Sequence, residues 1–269
     1  MLPKISAQIE QDTPALYFHH AGLTNTGLCR EHNEDAYKLP EDTDSAVLTR
    51  NGHLYVLADG MGGHDHGEIA SALTIESINA EYYVAAWSLS AHNPEPMIID
   101  ALSHAILTAN HQVIATTDGG GTTVVAAVLH GDSLIAMNVG DSRAYLLRDD
   151  ELRMISRDHS WVSMMVEMGK LSPEEAIYDP RRNILYQAIG QGSELEIHVD
   201  REKLKVDDTI ILCSDGLWNE IDERVMKEII NRASSPQAAT EKLIESANAA
   251  GGSDNITAII IQVTDRKRG

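Results

Sequence analysis

The sequence has few cysteines, no long apolar run and a shortage of positive charge, and each of these excludes a class of protein. Its two cysteines, Cys29 and Cys213, show no C-x-x-C spacing, which excludes a zinc knuckle and a disulfide framework. No apolar stretch is long enough to span a bilayer, and the first residues, MLPKISAQIEQD, contain no apolar h-region of a signal peptide. We therefore expect a cytoplasmic protein without membrane insertion.

Acidic residues outnumber basic ones by 41 to 21, so the formal net charge is −20. This balance argues against a nucleic-acid partner and against attraction to anionic membranes. The 269 residues contain neither a Pro- or Ser-rich linker nor an internal repeat, which favours one large domain. The oligomeric state is left open, with a monomer favoured.

Short runs of branched apolar residues, bounded by Gly, Asp, Asn or Ser, predict the strands of a β core. They lie at 54–57, 124–129, 134–139, 144–147, 209–213 and 256–263. Helical spacing of apolar residues, or helix start signals, predict four helices. These lie at 68 to about 87, 96 to about 116, 222–232 and 236–250. Because strands come in runs and helices in pairs, we expect α+β layers with antiparallel strands rather than a doubly wound parallel sheet.

Two irregular segments interrupt this pattern. The segment 156–183 mixes helical fragments with turn residues and contains a capping box from Ser172 to Glu175. A long insertion of this kind is often a lid or binding flap, and an ordinary pair of connecting helices is the alternative. The glycine-rich stretch near Gly121 lacks the Lys-Ser/Thr ending of a nucleotide-binding P-loop, so we expect turns there.

Aspartates recur at the ends of the predicted strands. Asp59, Asp141 and Asp215 each follow one, and Asp254 precedes another. Any one of them is more often a turn residue than a ligand. If the strand ends meet at one rim, however, the four carboxylates repel each other unless they are protonated or bound to cations. Oxygen ligands without Cys or His are typical of Mg²⁺ or Mn²⁺, and Gly60 lets its own carbonyl approach such an ion closely.

A second charged group lies upstream, where Arg30 is followed by Glu34 and Asp35. One interpretation is a surface ion pair worth about 0–1 kcal/mol. The other is that Glu34 joins the metal cluster while Arg30 grips an oxyanion with its planar fork of donors.

Eight sequence blocks occur in the order and spacing of the metal-dependent protein phosphatase family (PPM, or protein phosphatase 2C) and resemble its bacterial members most. They are REHNEDAY, LADGMGGH, GTT, NVGDSRAYL, RDHSWV, PRRNILYQAIG, CSDGLW and SDNIT. The resemblance covers 22–263 and implies a four-layer αββα sandwich, with two antiparallel sheets flanked by helix pairs. It divides the chain into an N-terminal extension (1–21), a catalytic domain (22–265) with a flap at about 156–183, and a C-terminal tail (266–269).

The resemblance also implies a site for two Mn²⁺ or Mg²⁺ ions at one end of the sandwich. Asp59 would bridge both ions, and Gly60 would supply its carbonyl. Asp215 and Asp254 would hold one ion and Glu34 the other.

Further roles follow from the resemblance. Asp35 would orient metal-bound water, and Arg30 would clamp the phosphoryl oxygens. Asp141 resembles the ligand that holds a third ion together with Asp215 in bacterial members. Animal-type members have a histidine, a candidate general acid, directly after Asp-Gly, whereas this chain has Met61; His64 is the candidate here, with a solvated loop residue as the alternative.

These features imply a serine/threonine phosphoprotein phosphatase in which water activated between two cations attacks the phosphate without a covalent phosphoenzyme. Its partners would be phosphorylated proteins and a cognate bacterial kinase that it opposes. The alternative is a non-catalytic member of the same fold that binds phosphoproteins. Such a protein would be expected to have lost metal carboxylates, whereas Glu34, Asp35, Asp59, Asp215 and Asp254 are all present.

Overall fold

The computed structural model describes residues 15–41, 45–62, 66–86 and 94–265, which contain eleven strands and eight helices. The strands are β1 (Tyr17–Asn25), β2 (Asp35–Lys38), β3 (His53–Met61), β4 (Gly121–Thr122), β5 (Val124–His130), β6 (Ser133–Val139), β7 (Arg143–Arg148), β8 (Glu151–Met154), β9 (His198–Lys203), β10 (Thr209–Cys213) and β11 (Ile256–Thr264). The helices are α1 (Ser45–Asn51), α2 (His66–Ala86), α3 (Pro94–Thr116), α4 (Trp161–Glu167), α5 (Pro173–Tyr178), α6 (Asp215–Trp218), α7 (Glu223–Arg232) and α8 (Pro236–Ala250).

The strands form two sheets in which the neighbouring strands pair antiparallel, as the sequence predicts. The first sheet has the order β1-β11-β10-β7-β8. The second has the order β2-β3-β5-β6-β9, and the short β4 pairs with β3. All six predicted strands are present, and β3 is longer than expected.

The alternating side chains of β3 show how the layers are built. Tyr55 and Leu57 enter the apolar cluster between the two sheets, whereas Leu54 and Val56 enter the cluster beneath α2 and α3. This period of two follows from the pleat of a strand. A third apolar cluster joins α7 and α8 to the outer face of the first sheet. The four-layer αββα sandwich is therefore confirmed.

The four predicted helices correspond to α2, α3, α7 and α8, and both α7 and α8 begin with a side-chain N-cap. The Asp222 side chain accepts a hydrogen bond from the Val225 N–H at 2.8 Å at the start of α7. Ser235 accepts one from the Ala238 N–H at 3.2 Å, directly before Pro236. Within the described ranges, no helix combines the length and the apolar character needed to cross a membrane.

The segment predicted as a flap, 156–183, contains α4 and α5. Ser172 and Glu175 form the expected capping box: the Ser172 hydroxyl accepts from the Glu175 N–H, and the Glu175 carboxylate accepts from the Ser172 N–H. Neither helix has a fully buried residue. Both are thus attached to the sandwich without forming part of its core.

Sequence reasoning missed the four edge strands β1, β2, β8 and β9, because most of their side chains are exposed or only partly buried. β1 begins at Tyr17, which pairs with Thr264, so residues 17–21 of the predicted extension lie in the first sheet. β9, HVDREK, forms an edge of the second sheet. The exact division of the chain into extension, domain and tail stays a prediction.

Leu129→Ala tests the core between the sheets. Leu129 is fully buried there, so its truncation is expected to lower the free energy of unfolding by about 2–5 kcal/mol. Val84→Ala in α2 is the control, because Val84 is 74% exposed and should change stability little. Urea unfolding of both variants checks this, and equal losses would contradict the assignment of the core.

Candidate metal centre

A cavity of about 420 Å³ opens at one end of the sandwich, and its wall is strongly acidic. Its charged lining residues are Glu34, Asp59, Asp141, Asp215, Asp254 and Arg30. These are the five carboxylates that the sequence analysis assigned to metal ions and the arginine assigned to an oxyanion. Gly60 lines the same cavity.

The pairing of β2 with β3 places the first carboxylates. Asp35 lies opposite Asp59 in the ladder, and the Gly60 N–H donates to the Glu34 carbonyl at 3.1 Å. Because β3 continues to Met61, Asp59 and Gly60 are strand residues. The expectation that the strand breaks at Asp59 is therefore wrong.

The other carboxylates come from the ends of neighbouring strands. Asp215 follows β10 and Asp254 precedes β11, and these two strands pair with each other. Asp141 lies between β6 of the second sheet and β7 of the first. The cavity thus collects acidic side chains from both sheets where the sheets meet.

Thr122 and Thr123 hold the backbone of Asp59. The Asp59 N–H donates to the Thr123 hydroxyl at 3.1 Å, and the Asp59 carbonyl accepts from the Thr123 N–H at 2.9 Å and the Thr122 hydroxyl at 2.8 Å. The turn expected at Gly121 is wrong, because Gly121 and Thr122 form a strand, β4, that pairs with the end of β3. The sequence block GTT positions a central carboxylate.

Asn255 is a second support that sequence reasoning missed. Its Oδ1 accepts from the Glu34 N–H at 2.8 Å, and its Nδ2 donates to the carbonyls of Thr26 and His32, each at 2.9 Å. The side chain thereby ties the loop of Glu34 to the segment that contains Asp254. Its place within SDNIT, next to a predicted ligand, was the available signal.

Asp35 is not among the described residues that line the cavity, and it is 8% exposed. Its Oδ2 accepts from the Ser214 hydroxyl at 2.8 Å and the Thr257 hydroxyl at 2.6 Å, while Oδ1 has no hydrogen-bond partner among the described residues. Burial raises the pKa of Asp35 to about 7, against the lowering effect of these hydroxyls, and the charges of Asp215 and Asp254 add to the rise. A buried acceptor without a donor is suited to water or substrate.

Burial and mutual repulsion raise the pKa of the other central carboxylates. Burial, followed by the charge of Asp35 and then of Asp215, raises the pKa of Asp59 well above its usual range. Burial and the charge of Asp215 do the same for Asp141. For Asp215, burial and the charge of Asp254 raise the pKa to about 6. This set of carboxylates therefore lacks the positive charge that would stabilise its ionised form.

Arg30 is the one basic side chain among the described residues that line the cavity. Its Nη2 donates to Asp254 Oδ2 at 2.6 Å, and the two side chains are 50% and 32% exposed. An exposed pair of this kind contributes about 0–1 kcal/mol. The structure thus places Arg30 on one of the predicted metal ligands, and its oxyanion-binding role stays a prediction.

The donor set fits Mg²⁺ or Mn²⁺, because it consists of carboxylate and carbonyl oxygens. A Cβ at Gly60 would lie 2.3 Å from the Gly67 carbonyl oxygen, so the close approach of the two backbone segments requires glycine.

In the ranges that the structure describes, no three His, Cys, Asp or Glu side chains form a group that could hold an ion. The carboxylates therefore line the cavity without converging on one point. His64, the predicted general acid, lies outside the described residues.

Comparisons with known proteins agree with this geometry. The family model described as protein phosphatase 2C matches residues 30–249. The chain is 33% identical to "Serine/threonine phosphatase stp" of Listeria welshimeri over 93% of this chain and 98% of that protein. It superimposes on the Streptococcus agalactiae serine/threonine phosphatase with a TM-score of 0.82, at 31% identity over 91% of this chain and 99% of that one. The catalytic domain of the phosphatase PstP, solved with two manganese ions, gives a TM-score of 0.77 at 30% identity over 93% and 99% of the two chains.

The fold and the acidic cavity define a metal-dependent serine/threonine protein phosphatase. The chain belongs to the protein phosphatase 2C family.

The raised carboxyl pKa values predict how stability depends on pH and metal. Between about pH 4 and pH 7 the native metal-free protein binds more protons than the unfolded chain, so its stability falls as the pH rises. We expect the melting temperature in chelator to decrease from about pH 5 to about pH 8, and the stabilisation by Mn²⁺ to increase. Asp59→Asn should raise the melting temperature in chelator at about pH 8 and reduce the Mn²⁺ effect.

Asp100→Asn is the control for this experiment, because Asp100 is an exposed residue of α3. Thermal unfolding across the pH range checks the expectation. A metal-free protein that becomes more stable as the pH rises through this window would show that the carboxylates are not held as described.

Proposed function

We propose that this protein removes phosphate from phosphoserine and phosphothreonine in proteins, using two Mn²⁺ or Mg²⁺ ions bound in the acidic cavity. Glu34 would hold one ion, Asp215 and Asp254 the other, and Asp59 both, with the carbonyl of Gly60 as a further ligand. The two-manganese structure of PstP supports this assignment by likeness.

The charge of the cavity wall is the observation that carries the proposal. Five carboxylates and one guanidinium leave four negative charges, which is the charge that two divalent cations neutralise. Without them, the burial of these side chains opposes folding. Cations that bind in the cavity would offset this unfavourable burial of negative charge.

When bound, the two cations lower the pKa of water between them and offset the negative charge of the phosphoryl group during in-line attack. Asp35 would orient that water. This role is supported by the hydrogen bonds of Ser214 and Thr257 to one of its oxygens, while the other oxygen has no partner among the described residues. Arg30 would bind phosphoryl oxygens with its remaining donors, and its half-exposed side chain in the cavity lining supports this role. Should a third ion bind, Asp141 and Asp215 would hold it.

His64 is proposed as the acid that protonates the departing serine or threonine oxygen. Its position between Gly62, which lines the cavity, and His66, the first residue of α2, supports this role by proximity in the chain. A departing alkoxide is strongly basic and benefits from a proton donor.

The physiological setting belongs to the same proposal. The opposing enzyme would be a bacterial serine/threonine kinase, and both would act in the cytoplasm, where the kinase finds ATP. The flap at 156–183 would select among phosphoproteins, because its last residue, Asn183, and Leu185, two residues further on, line the cavity. A monomer suffices for this chemistry, since one chain supplies all the side chains assigned to it.

Asp215→Asn tests the metal site and the activity together. The parent should hydrolyse p-nitrophenyl phosphate and a phosphothreonine peptide with Mn²⁺ or Mg²⁺ and should lose both activities in chelator. The variant should lose more than about 100-fold in kcat/KM, because supporting residues alone already contribute about 10- to 100-fold. A parent without turnover under any metal would instead indicate a phosphoprotein-binding member of the fold.

His64→Ala tests the general acid with two leaving groups. Phosphopeptide hydrolysis should slow by about 100-fold or more, whereas hydrolysis of the activated p-nitrophenyl ester should change far less. His66→Ala is the matched control from the same segment. Equal losses of His64→Ala on the two substrates would rule out proton donation by His64.

A further inference from the structure

A largely buried arginine connects the turn that carries Asp141 to other parts of the site. Arg143 is the first residue of β7, and its side chain is 20% exposed. Its Nε donates to Asp158 Oδ1 at 3.1 Å, its Nη2 to Asp158 Oδ2 at 2.7 Å, and its Nη1 to the Tyr145 hydroxyl at 3.1 Å. With all three nitrogens engaged, the guanidinium plane has one orientation.

The guanidinium lies over the indole of Trp218, with Arg143 Cζ 3.6 Å from the ring centroid. Trp218 is the last residue of α6, and Asp215 is the first. The Trp218 Nε1–H donates to the Asp141 carbonyl at 3.1 Å. Arg143 therefore holds the indole, and the indole holds the backbone of Asp141.

Asp158 belongs to the segment that leads into α4, and this segment is bonded to the same turn. The Gly140 N–H donates to His159 Nδ1 at 3.2 Å, and the His159 N–H donates to the Gly140 carbonyl at 2.9 Å. Asp141 is thus held from α6 on one side and from the approach to the flap on the other.

We propose that Arg143 is a positioning residue for metal binding by Asp141 and Asp215. Its contacts fix three parts of the chain relative to one another: the turn after β6, the helix α6 and the approach to the flap. The inference rests on the proposed function, because that function makes Asp141 and Asp215 metal ligands. Arg143 is not among the described residues that line the cavity, so it acts on an ion through the groups it holds.

The same strand offers a matched control. Arg148, the last residue of β7, donates from Nε and Nη2 to the two carboxylate oxygens of Asp208 at 2.8 and 2.7 Å. Its side chain is 23% exposed, close to the 20% of Arg143, and both arginines make a two-pronged contact with a carboxylate. Of these two ion pairs, only that of Arg143 with Asp158 lies next to the turn that carries Asp141.

The test is a comparison of Arg143→Lys with Arg148→Lys by titration calorimetry with Mn²⁺ and by urea unfolding. Lysine keeps the charge but loses the two-pronged, planar contact. Arg143→Lys should weaken Mn²⁺ binding by about 10- to 100-fold, the range seen for residues that orient metal ligands. Arg148→Lys should leave Mn²⁺ binding unchanged while costing comparable stability.

Trp218→Phe provides a second variant in case Arg143→Lys fails to fold. It keeps a ring beneath Arg143 but removes the N–H that binds the Asp141 carbonyl, and it should also weaken Mn²⁺ binding. Trp161→Phe is its control, because the Trp161 indole also lies against an arginine, with Arg181 Cζ 3.4 Å from its centroid.

Asp141→Asn separates the possible failures. If this variant weakens Mn²⁺ binding and neither Arg143→Lys nor Trp218→Phe does so beyond its control, the inference on Arg143 is wrong while the proposed function stands. A parent that binds no Mn²⁺ would overturn both.

Discussion

Repulsion between carboxylates at one end of the sandwich is the constraint on which the rest of the site depends. Asp59 and its neighbours are buried among like charges, and their raised pKa values measure the free-energy cost of keeping them ionised. Folding tolerates this arrangement because the apolar clusters of the sandwich supply the stability elsewhere. A cation that binds there recovers part of the cost, which couples metal binding to stability.

Charges that repel one another stay in place only if their backbone is held. Thr123 bonds both the N–H and the carbonyl of Asp59, and Asn255 bonds three backbone groups around Glu34. These supports are neutral hydroxyl and amide groups, which hold a carboxylate's backbone without neutralising its charge. The site therefore keeps its negative potential for a cation, whereas an internal salt bridge at each ligand would have removed it.

The sequence predicted the layers and the carboxylates that line the cavity better than their supports. Buried runs such as 124–129 have the composition of central strands, and an aspartate at a strand end is visible without knowing the fold. The edge strands β1 and β9 lack that composition. The bond from the Thr257 hydroxyl to Asp35 joins residues 222 positions apart, so its meaning depends on the pairing of distant strands. The ion pair of Arg143 with Asp158 likewise cannot be predicted from the sequence, because only the fold brings the turn after β6 next to the flap segment.

Two arginines near the site differ in burial, and the difference decides whether the side chain can change its partner. Arg30 makes one bond to Asp254 and is half exposed, so water can replace that bond at little cost. Arg143 binds both oxygens of Asp158, contacts an indole and is largely buried, so loss of one partner would leave an uncompensated charge. Under the proposed function, a cation that binds Asp254 would free Arg30 to bind a phosphate. Arg143 cannot give up Asp158 in the same way. This suits a residue that keeps other side chains in place rather than one that binds substrate.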